Sequence, residues 1–479
     1  NNFLSRPRRF GKSLLVTTMQ AYFEGKKDLF KGLAIEKLEK EWVKYPVIHI
    51  DLSSGKYYEV QRIMSTLDFL LSRYELKYDI TPRDLSGFGD RFNNIIQTAA
   101  AQTGQKVVVL IDEYDAPMLD SNAKPELQEQ IRSIMRDFFS PLKANEGLLR
   151  FVFLTGITKF SQLSIFSELN NIKNYSLDDE YGAICGFTQE EILSTFHEGI
   201  HEMAKANGLT TEQTVAKMKE QYDGYRFTPH CPNIYNPYSV LNALHDKKFS
   251  NYWFATGTPT FLLELLIKND IEMPQLEGIV ATEDQFDSPT DNIGNPIPVL
   301  YQSGYLTIKD YDEGIYTLGY PNEEVRMGLN RSMLNYIAPQ YGLKTTAFAA
   351  QFRAAMRKDD IDTAMKVLQS FLAAFPYDIH HNREDYFQAI LFTIFITLGF
   401  TIHAEVKTAR GRIDLLISTK TTIFVMELKI DQSAEKALEQ IDAKDYTLPY
   451  KHDGRRIFKV GINFSTEKRT VDEWKYEEA

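Results

Sequence analysis

Apolar runs alternate with segments of helical spacing along the first third of the chain. The pattern predicts strands at 3–5, 47–53, 106–115 and 149–157, and helices at 12–23, 59–74 and 125–139. The strands are continuous runs rich in Val, Ile, Leu and Phe rather than alternating ones, which is typical of a parallel sheet with both faces covered. We therefore expect an α/β domain at the amino-terminal end, over residues 1–185.

Helical patterns predominate from residue 186 onward. Thr188 is a plausible N-cap, with Glu191 three residues later as in a capping box. Strand-like residues return between 299 and 325 and predict a winged-helix-like or β-hairpin element. We expect a helical middle region over 186–345, either a lid or a winged-helix-like element, followed by a helical connector over 346–378.

The end of the chain, residues 379–479, follows a third pattern. A helix is predicted at 383–398, strands at 400–406, 411–419 and 422–430, a further helix at 432–446 and a last strand at 456–464. This order of helix, three-strand meander, helix and strand predicts a separate α/β domain.

Composition changes this picture little. The chain has 479 residues, 43% of them hydrophobic, and a net charge of −11, so a basic footprint over the whole chain is excluded while a local positive groove is not. Cys185 and Cys231 are too few for a disulfide framework, which favours a reduced, cytoplasmic protein. The longest apolar run, residues 389–402, is too short to cross a bilayer, so no membrane partner is expected.

The first candidate site lies at Gly11-Lys12-Ser13, between the first strand and the first helix. In phosphate-binding loops, consecutive N–H groups and a helix N-terminus point at one anion. Lys12 is suited to neutralising the β- and γ-phosphates of ATP, and the Ser13 hydroxyl to binding Mg²⁺. The predicted nucleotide-binding residues of this loop are Arg9, Phe10, Gly11, Lys12, Ser13 and Leu14.

The run VVVLIDE supplies a second half for this site. Asp112 ends a buried strand, where it can hold Mg²⁺ together with Ser13, and Glu113 is placed to polarise the attacking water as the catalytic base. Charged groups on a buried strand are costly unless they meet a cation. The Gly-Lys-Ser triplet alone is common, but together with these two acidic residues it predicts an ATPase site.

Arginines around the loop leave alternatives open. Arg6 stands where a glycine normally opens such a loop, and Pro7 stiffens that end of it. Arg8 and Arg9 either add cationic contacts to phosphate or belong to a solvated basic loop. Arg226 is either a lid or trans-acting arginine or a surface residue.

Several segments together resemble a known family. RPRRFGKS at 6–13, LIDEYDAP at 110–117 and LTGITKFS at 154–161 are similar to the bacterial AAA-ATPase-like family, as are YDGYRF at 222–227 and NYWFATGTPTFL at 251–262. The resemblance implies a P-loop NTPase fold, an arginine at the Arg6 position, and Thr155 as a polar sensor near the γ-phosphate. It also implies residues before the loop that this chain, which begins at Asn1, is expected to lack.

Carboxylates recur in the last predicted domain. Glu427 and Lys429 are two apart on one strand and emerge on the same face, where Asp414 on the neighbouring strand can meet them. Asp414 and Glu427 are suited to binding a divalent cation that activates water, and Lys429 to orienting the nucleophile. Glu384 on the preceding helix is expected to be a further metal ligand. Gln440 on the following helix is expected to be a further catalytic residue.

The arrangement of Asp414, Glu427 and Lys429 resembles the PD-(D/E)XK nuclease superfamily. Ile413 replaces the proline that often precedes the aspartate. The resemblance implies a restriction-endonuclease-like α/β fold and cleavage of phosphodiester bonds with Mg²⁺ or Mn²⁺. The alternative is a salt bridge on a solvent-facing sheet.

Two functions follow. The first is an ATP-dependent or ATP-gated nuclease that acts on nucleic acid, DNA rather than RNA. The second is an ATPase switch whose nuclease-like domain binds partners or nucleic acid without cleaving. A homo-oligomer fits either function, because ATPases of this type often complete their sites across subunits.

Overall fold

The structure is a computed structural model of the chain. The part of the chain it describes comprises residues 1–53, 55–81, 87–121, 124–159, 172–256, 260–269, 271, 273–290, 295–337, 342–373, 401–408, 411–468 and 470–479. The chain forms two compact units. Unit 1 contains Asn1–Trp253 and Val280–Asn322, and unit 2 contains Phe254–Ile279 and Glu323–Ala479.

Unit 1 is built on a five-stranded parallel sheet with the strand order β2-β3-β4-β1-β5. Its strands are β1 (Asn2–Ser5), β2 (Val47–Asp51), β3 (Val107–Asp112), β4 (Leu149–Gly156) and β5 (Lys173–Asn174). The helices in this part of the chain are α1 (Lys12–Phe23), α2 (Ala34–Leu38), α3 (Val60–Lys77), α4 (Phe88–Thr103), α5 (Ala116–Asp120), α6 (Pro125–Phe139) and α7 (Pro141–Ala144).

Strand β3 explains why the apolar run had to be continuous. Val107, Val109 and Ile111 belong to one core cluster, whereas Val108 and Leu110 belong to another. Successive side chains of a strand point to opposite faces, so both faces of this sheet are covered by apolar residues. The parallel α/β prediction is confirmed.

The rest of unit 1 is mostly helical. It contains α8 (Gln189–Thr195), α9 (His197–Asn207), α10 (Thr211–Tyr222), α11 (Pro237–Asp246), α13 (Glu283–Phe286) and α14 (Ile297–Gln302). A short antiparallel pair joins β6 (Phe187–Thr188) to β7 (Ile234–Tyr235), and a three-stranded sheet has the order β8 (Ile279–Ala281), β10 (Ile315–Gly319), β9 (Thr307–Asp312). The hairpin of β9 and β10 lies within the segment where strands were predicted.

Unit 2 contains a five-stranded mixed sheet in sequential strand order. Its strands are β11 (Thr401–Thr408), β12 (Gly411–Ser418), β13 (Thr422–Ile430), β14 (Arg456–Ser465) and β15 (Thr470–Glu478). Its helices are α12 (Thr260–Lys268), α15 (Glu323–Ile337), α16 (Gly342–Met356), α17 (Ile361–Leu372) and α18 (Ala434–Ala443). Strands β13 and β14 are parallel, and the remaining neighbours are antiparallel. This is the α/β domain expected at the end of the chain.

Some elements differ from the sequence predictions. The capping box of Thr188 and Glu191 is present, but the helix it begins ends at Thr195, and a second helix starts at His197. Strands β5 and β15 were not predicted. The predicted helix 383–398 lies outside the described residues, and the predicted domain boundaries remain predictions.

Helix α17 is fastened to the edge strand β15 by polar side chains. Asp362 accepts hydrogen bonds from Trp474 Nε1 at 2.9 Å and from the Tyr476 hydroxyl at 3.0 Å. Gln369 donates to the carbonyl oxygen of Val471 at 2.7 Å. The helix is thereby held against the edge strand β15 of the sheet.

Glycine 461 sets how closely α18 approaches the sheet of unit 2. A Cβ at Gly461 would lie 2.2 Å from the backbone oxygen of Ala434, so a side chain there forces the helix away. We expect Gly461→Val to lower the free energy of unfolding by about 1–3 kcal/mol, the usual range for overpacking, as measured by urea denaturation. The control is Gly147→Val, where an added Cβ meets no atom within 4 Å. An unchanged unfolding midpoint for Gly461→Val would show that α18 does not pack against β14 in this way.

Among the described residues, no helix combines the length and the apolar character needed to cross a membrane.

Candidate functional site

The loop between β1 and α1 leaves a helix N-terminus open to an anion. Gly11 occupies the N-cap position with φ +88°, a left-handed conformation that glycine adopts without steric cost. No side chain caps α1, and its first turn contains no acidic residue. The first backbone N–H groups of a helix have no intrahelical acceptor, so this end of α1 can bind a phosphate.

Lys12 is buried at the start of α1. Its Nζ lies 3.2 Å from the carbonyl oxygen of Pro7 and 3.3 Å from Glu113 Oε1. The Lys12 side chain is only 3% exposed, so these oxygens, rather than water, surround its ammonium group. The structure thus brings Lys12 and Glu113 together, as the sequence predicts for two halves of one site.

Asp112 ends β3 and is almost fully buried. Burial raises the pKa of its carboxyl to about 6, while a hydrogen bond with the Ser13 side chain acts in the opposite direction. Its Oδ1 atom is buried and has no hydrogen-bond partner among the described residues. A carboxylate oxygen of this kind beside a serine hydroxyl fits a Mg²⁺ ion, which prefers hard oxygen ligands.

Glu113 has a backbone conformation that is uncommon for its residue type. Its φ is +52°, a left-handed value that costs a non-glycine residue about 1 kcal/mol or more. Strain of this kind persists where the surrounding structure requires it, and here the strained residue is the one whose carboxylate lies 3.3 Å from Lys12 Nζ. Glu113 is only partly buried and is therefore the more accessible of the two acids.

Thr155 lies on β4, directly opposite Leu4 of β1 in the parallel register. Its side chain is fully buried, and its Oγ1 atom has no hydrogen-bond partner among the described residues. Strand β4 separates β1 from β3, so Thr155 lies between the strand that leads into the loop and the strand that carries Asp112. Its role as a polar sensor remains a prediction.

Arg6 is a buried brace of the loop. Its guanidinium donates hydrogen bonds to four backbone carbonyls, those of Ser5, Ser176, Tyr181 and Ile184. It also lies 4.3 Å from the centre of the Phe227 ring, and burial lowers its pKa to about 10. Where other loops have a glycine, this chain has a side chain that fixes the base of the loop to the segment after β5.

The other arginines have distinct surroundings. Arg8 and Arg9 are exposed, and the Arg9 guanidinium lies 4.4 Å from the centre of the Tyr238 ring. The backbone N–H of Arg226 donates to the Thr307 hydroxyl, and its side chain donates to the carbonyl oxygens of Lys309 and Pro229. The contacts of Arg226 are those of a structural residue.

Asp115 is a site residue that the sequence reading missed. It is fully buried, and its Oδ2 accepts hydrogen bonds from the backbone of Ile157 at 2.9 Å and of Thr158 at 2.7 Å. The carboxylate therefore ties the segment after β3, which carries Glu113, to the end of β4, which carries Thr155. Its only sequence signal was an acid flanked by apolar residues shortly after Asp112.

Asp51 was also missed. It ends β2 directly opposite Asp112 of β3, because the two strands are parallel and in register. Its charge adds to the burial that raises the pKa of Asp112. Asp51 and Asp112 thus lie side by side at the edge of the sheet, directly before Glu113.

A second group of polar residues lies on the sheet of unit 2. Asp414 is on β12, and its Oδ2 accepts a hydrogen bond from the backbone N–H of Leu428 on β13 at 2.9 Å. Strands β12 and β13 are antiparallel, with Leu415 opposite Met426. The pairing places Asp414 beside Glu427, as predicted from the strand pattern.

Glu427 is the most deeply buried acid of this group, with 1% of its side chain exposed. Its Oε1 lies 3.3 Å from Lys429 Nζ and accepts a hydrogen bond from Gln440 on α18. The structure thus brings together Asp414, Glu427, Lys429 and Gln440. The alternative of a solvent-facing salt bridge does not fit this burial.

Glu384 and Tyr446 are two further residues of this part of the chain. Glu384 lies outside the described residues, so its predicted place at this site remains a prediction. Tyr446 is buried in an apolar cluster with Ile413 and Ile441, where it is part of the hydrophobic core.

The described residues hold no group of three or more His, Cys, Asp or Glu side chains that could bind a metal ion. Asp414 and Glu427 therefore provide two carboxylates for a cation.

Comparisons with known proteins match both ends of the chain. The family described as "Predicted AAA-ATPase" matches residues 1–166, and the PD-(D/E)XK nuclease superfamily matches residues 382–474. A protein of Azotobacter chroococcum mcd 1, described as "Uncharacterized protein in vnfD 5'region", is 32% identical over 482 residues. That alignment covers 98% of this chain and 90% of the relative.

Solved structures are much more distant. The Aeropyrum pernix ORC2 protein, in ADPNP–ADP complexes, is 11% identical, with 69% of this chain and 88% of that chain covered and a TM-score of 0.26. Cdc6p of Pyrobaculum aerophilum is 10% identical, with 71% and 87% covered and a TM-score of 0.24. Similarities this low support no conclusion about the present chain.

Proposed function

Since the chain belongs to the AAA-ATPase-like family and ends in a PD-(D/E)XK nuclease superfamily domain, we propose that it is an ATP-gated nuclease. In this proposal unit 1 binds and hydrolyses ATP with Mg²⁺, and unit 2 cleaves phosphodiester bonds, in DNA rather than RNA. The observation that carries the ATPase half is the meeting of Lys12, Asp112 and Glu113 at one open helix N-terminus.

Each residue of the phosphate loop has a role in this proposal. The backbone N–H groups at Gly11, Lys12 and Ser13 bind the phosphate oxygens, and the Lys12 ammonium neutralises their charge. The Ser13 hydroxyl and Asp112 would hold Mg²⁺, which neutralises charge on the transferred phosphoryl group when bound. Arg9, Phe10 and Leu14 contribute through their backbone.

Glu113 is the proposed base of the ATPase. Its carboxylate accepts a proton from the attacking water, and its neighbour Lys12 holds it at the site before phosphate binds. The Thr155 hydroxyl donates a hydrogen bond to the oxygens of the departing phosphate. Asp115 acts through the backbone that it connects, by holding the end of β4 against the turn that carries Glu113.

The nuclease half rests on Asp414, Glu427 and Lys429. The two carboxylates would hold Mg²⁺ or Mn²⁺, an ion that lowers the pKa of water and stabilises charge on a phosphodiester. Lys429 orients the attacking water, and Gln440 fixes the orientation of the Glu427 carboxylate. A third carboxylate from Glu384 is part of this proposal.

The setting of the protein belongs to the same proposal. We place it in the bacterial cytoplasm, where the two free cysteines Cys185 and Cys231 stay reduced. ATP and DNA are its expected partners, and a homo-oligomer is its expected assembly. The net charge of −11 requires DNA to meet a local positive groove instead of the surface as a whole.

Glu113→Gln tests the ATPase half. The amide cannot accept the proton of the attacking water, so we expect hydrolysis to fall by about 100-fold or more while ATP still binds. Phosphate release and nucleotide binding measure the two effects separately. The control is Glu126→Gln on α6, an exposed residue of the same unit. Hydrolysis at the wild-type rate in Glu113→Gln would remove Glu113 from the mechanism.

A further inference from the structure

Four aromatic side chains from the helical part of unit 1 contact the loop ahead of Gly11. We call them the aromatic collar: Tyr225, Phe227, Tyr238 and Trp253. They belong to the segments YDGYRF, YNPYS and NYWF, to which the proposed ATPase chemistry assigns no role. Each of the loop residues Arg6, Arg8, Arg9 and Phe10 meets at least one member of the collar.

Phe10 is the buried centre of these contacts. Its ring meets Tyr225 edge-on at a centroid distance of 4.7 Å and Phe227 at 5.4 Å. Phe227 also lies below the Arg6 guanidinium. Edge-on aromatic pairs and cation–π contacts are directional, so they fix the orientation of the loop and do more than bury it.

The contact on Arg9 falls at the strained position of the loop. Arg9 has φ +69°, and two residues later Gly11 has φ +88°. Left-handed residues of this kind in a loop turn successive backbone N–H groups toward one point and form an anion-binding concavity. Gly11 adopts this conformation freely, but Arg9 does not, because its Cβ opposes it. The Tyr238 ring holds the Arg9 side chain in place at 4.4 Å.

Trp253 fixes the residue before Arg9. Its indole Nε1 donates a hydrogen bond to the carbonyl oxygen of Arg8 at 3.1 Å, and its ring packs edge-on against Tyr305 at 5.2 Å. The carbonyl of Arg8 belongs to the peptide group whose N–H is that of Arg9. The hydrogen bond therefore fixes the plane of the peptide that precedes the strained residue.

We propose that the aromatic collar is a positioning device for nucleotide binding, in which Tyr238 holds Arg9 in the left-handed conformation that shapes the phosphate loop. This inference rests on the proposed function, because it concerns the site at Lys12. Tyr238 is a positioning residue that acts through Arg9 and touches no phosphate itself. The stretch YNPYS, which runs from the end of β7 into the first turn of α11, thereby becomes a determinant of nucleotide affinity.

A double-mutant cycle tests the proposal on the full chain. The readout is the affinity for a fluorescent ADP, mant-ADP, with Mg²⁺, followed by fluorescence anisotropy. With Arg9 present, we expect Tyr238→Ala to weaken binding by about 2- to 5-fold, the range of a cation–π contact at an exposed site. In an Arg9→Gly background we expect less than a 2-fold effect of Tyr238→Ala, because glycine keeps the left-handed conformation without help. Tyr238→Phe, which retains the ring, should restore the affinity.

The outcomes separate this inference from the function it rests on. An equal loss from Tyr238→Ala in both backgrounds would assign Tyr238 a merely structural role and overturn the proposal. Absence of mant-ADP binding by the wild type would instead overturn the proposed ATPase. If Tyr238→Ala does not fold, Trp253→Phe serves in the same cycle, because it removes one hydrogen bond to Arg8 and keeps an aromatic ring. An equal loss from Trp253→Phe in both backgrounds would likewise overturn the proposal.

Discussion

Replacing Glu427 by alanine is expected to reduce metal-dependent cleavage of DNA by about 1000-fold or more. The reason is that the cation would lose one of its two proposed carboxylate ligands, Asp414 and Glu427. Glu427 is 1% exposed, and its carboxylate meets both Lys429 and Gln440. Its removal also takes away the carboxylate that lies 3.3 Å from the Lys429 ammonium, the group that we propose orients the water. Both effects act on the chemical step.

The measurement is the rate at which linear and supercoiled DNA are cut in Mg²⁺ or Mn²⁺. Glu439→Ala is the matched control, since Glu439 is an exposed acid next to Gln440 on the same helix α18. We expect the control to cut at the wild-type rate. Cleavage that persists in Glu427→Ala would contradict the assignment of the nuclease site.

Replacing Lys12 by alanine is expected to lower nucleotide affinity and hydrolysis by about 100-fold or more, since the proposed role of this buried cation is to neutralise the β- and γ-phosphates. The structure makes this loss severe for a second reason. Glu113 would remain at the site without the ammonium that lies 3.3 Å from it, so its charge would oppose phosphate directly.

Binding and hydrolysis are measured on the same preparations. Lys31→Ala is the matched control, because Lys31 is an exposed lysine of the same unit. A thermal unfolding curve for each variant separates loss of function from loss of folding. If Lys12→Ala binds ATP as the wild type does, the phosphate site lies elsewhere in the chain.

The parallel sheet of unit 1 could be predicted because its strands are apolar throughout. A run such as VVVLID permits few structures other than a strand buried on both faces, and its acidic end then marks the edge at which a site forms. The same logic placed Asp112 near Lys12. Helix α1 was predicted to the residue, because a loop glycine and a helical pattern mark its two ends.

The role of Arg6 could not be predicted, for a physical reason. An arginine in a loop of basic residues suggests contact with anions, whereas this one donates to backbone carbonyls that are distant in sequence. Asp115 posed the same problem, because the N–H groups that donate to its carboxylate belong to Ile157 and Thr158, directly after β4 and far from Asp115 in sequence. Such roles depend on which chain segments become neighbours, and local pattern carries no information about that.

In unit 2 the two-residue period of the strands was sufficient to predict that Asp414 lies beside Glu427. It was not sufficient to predict the last strand, β15. Strand β15 begins with two buried residues, and its remaining positions are exposed or half-exposed, so its apolar signal is weak. Its position depends on pairing with β14 and on the contacts of Asp362 with Trp474 and Tyr476.

The central claim, that one chain joins an ATP site to a nuclease, is tested most directly by cleavage of plasmid DNA in Mg²⁺ with and without ATP. The comparison uses the wild type, Lys12→Ala and Glu427→Ala at equal concentration. We expect ATP to change the wild-type cleavage rate by about 10-fold or more and to leave the rate of Lys12→Ala unchanged. We expect no cleavage by Glu427→Ala. Equal cleavage with and without ATP in the wild type, or cleavage by Glu427→Ala, would contradict the account.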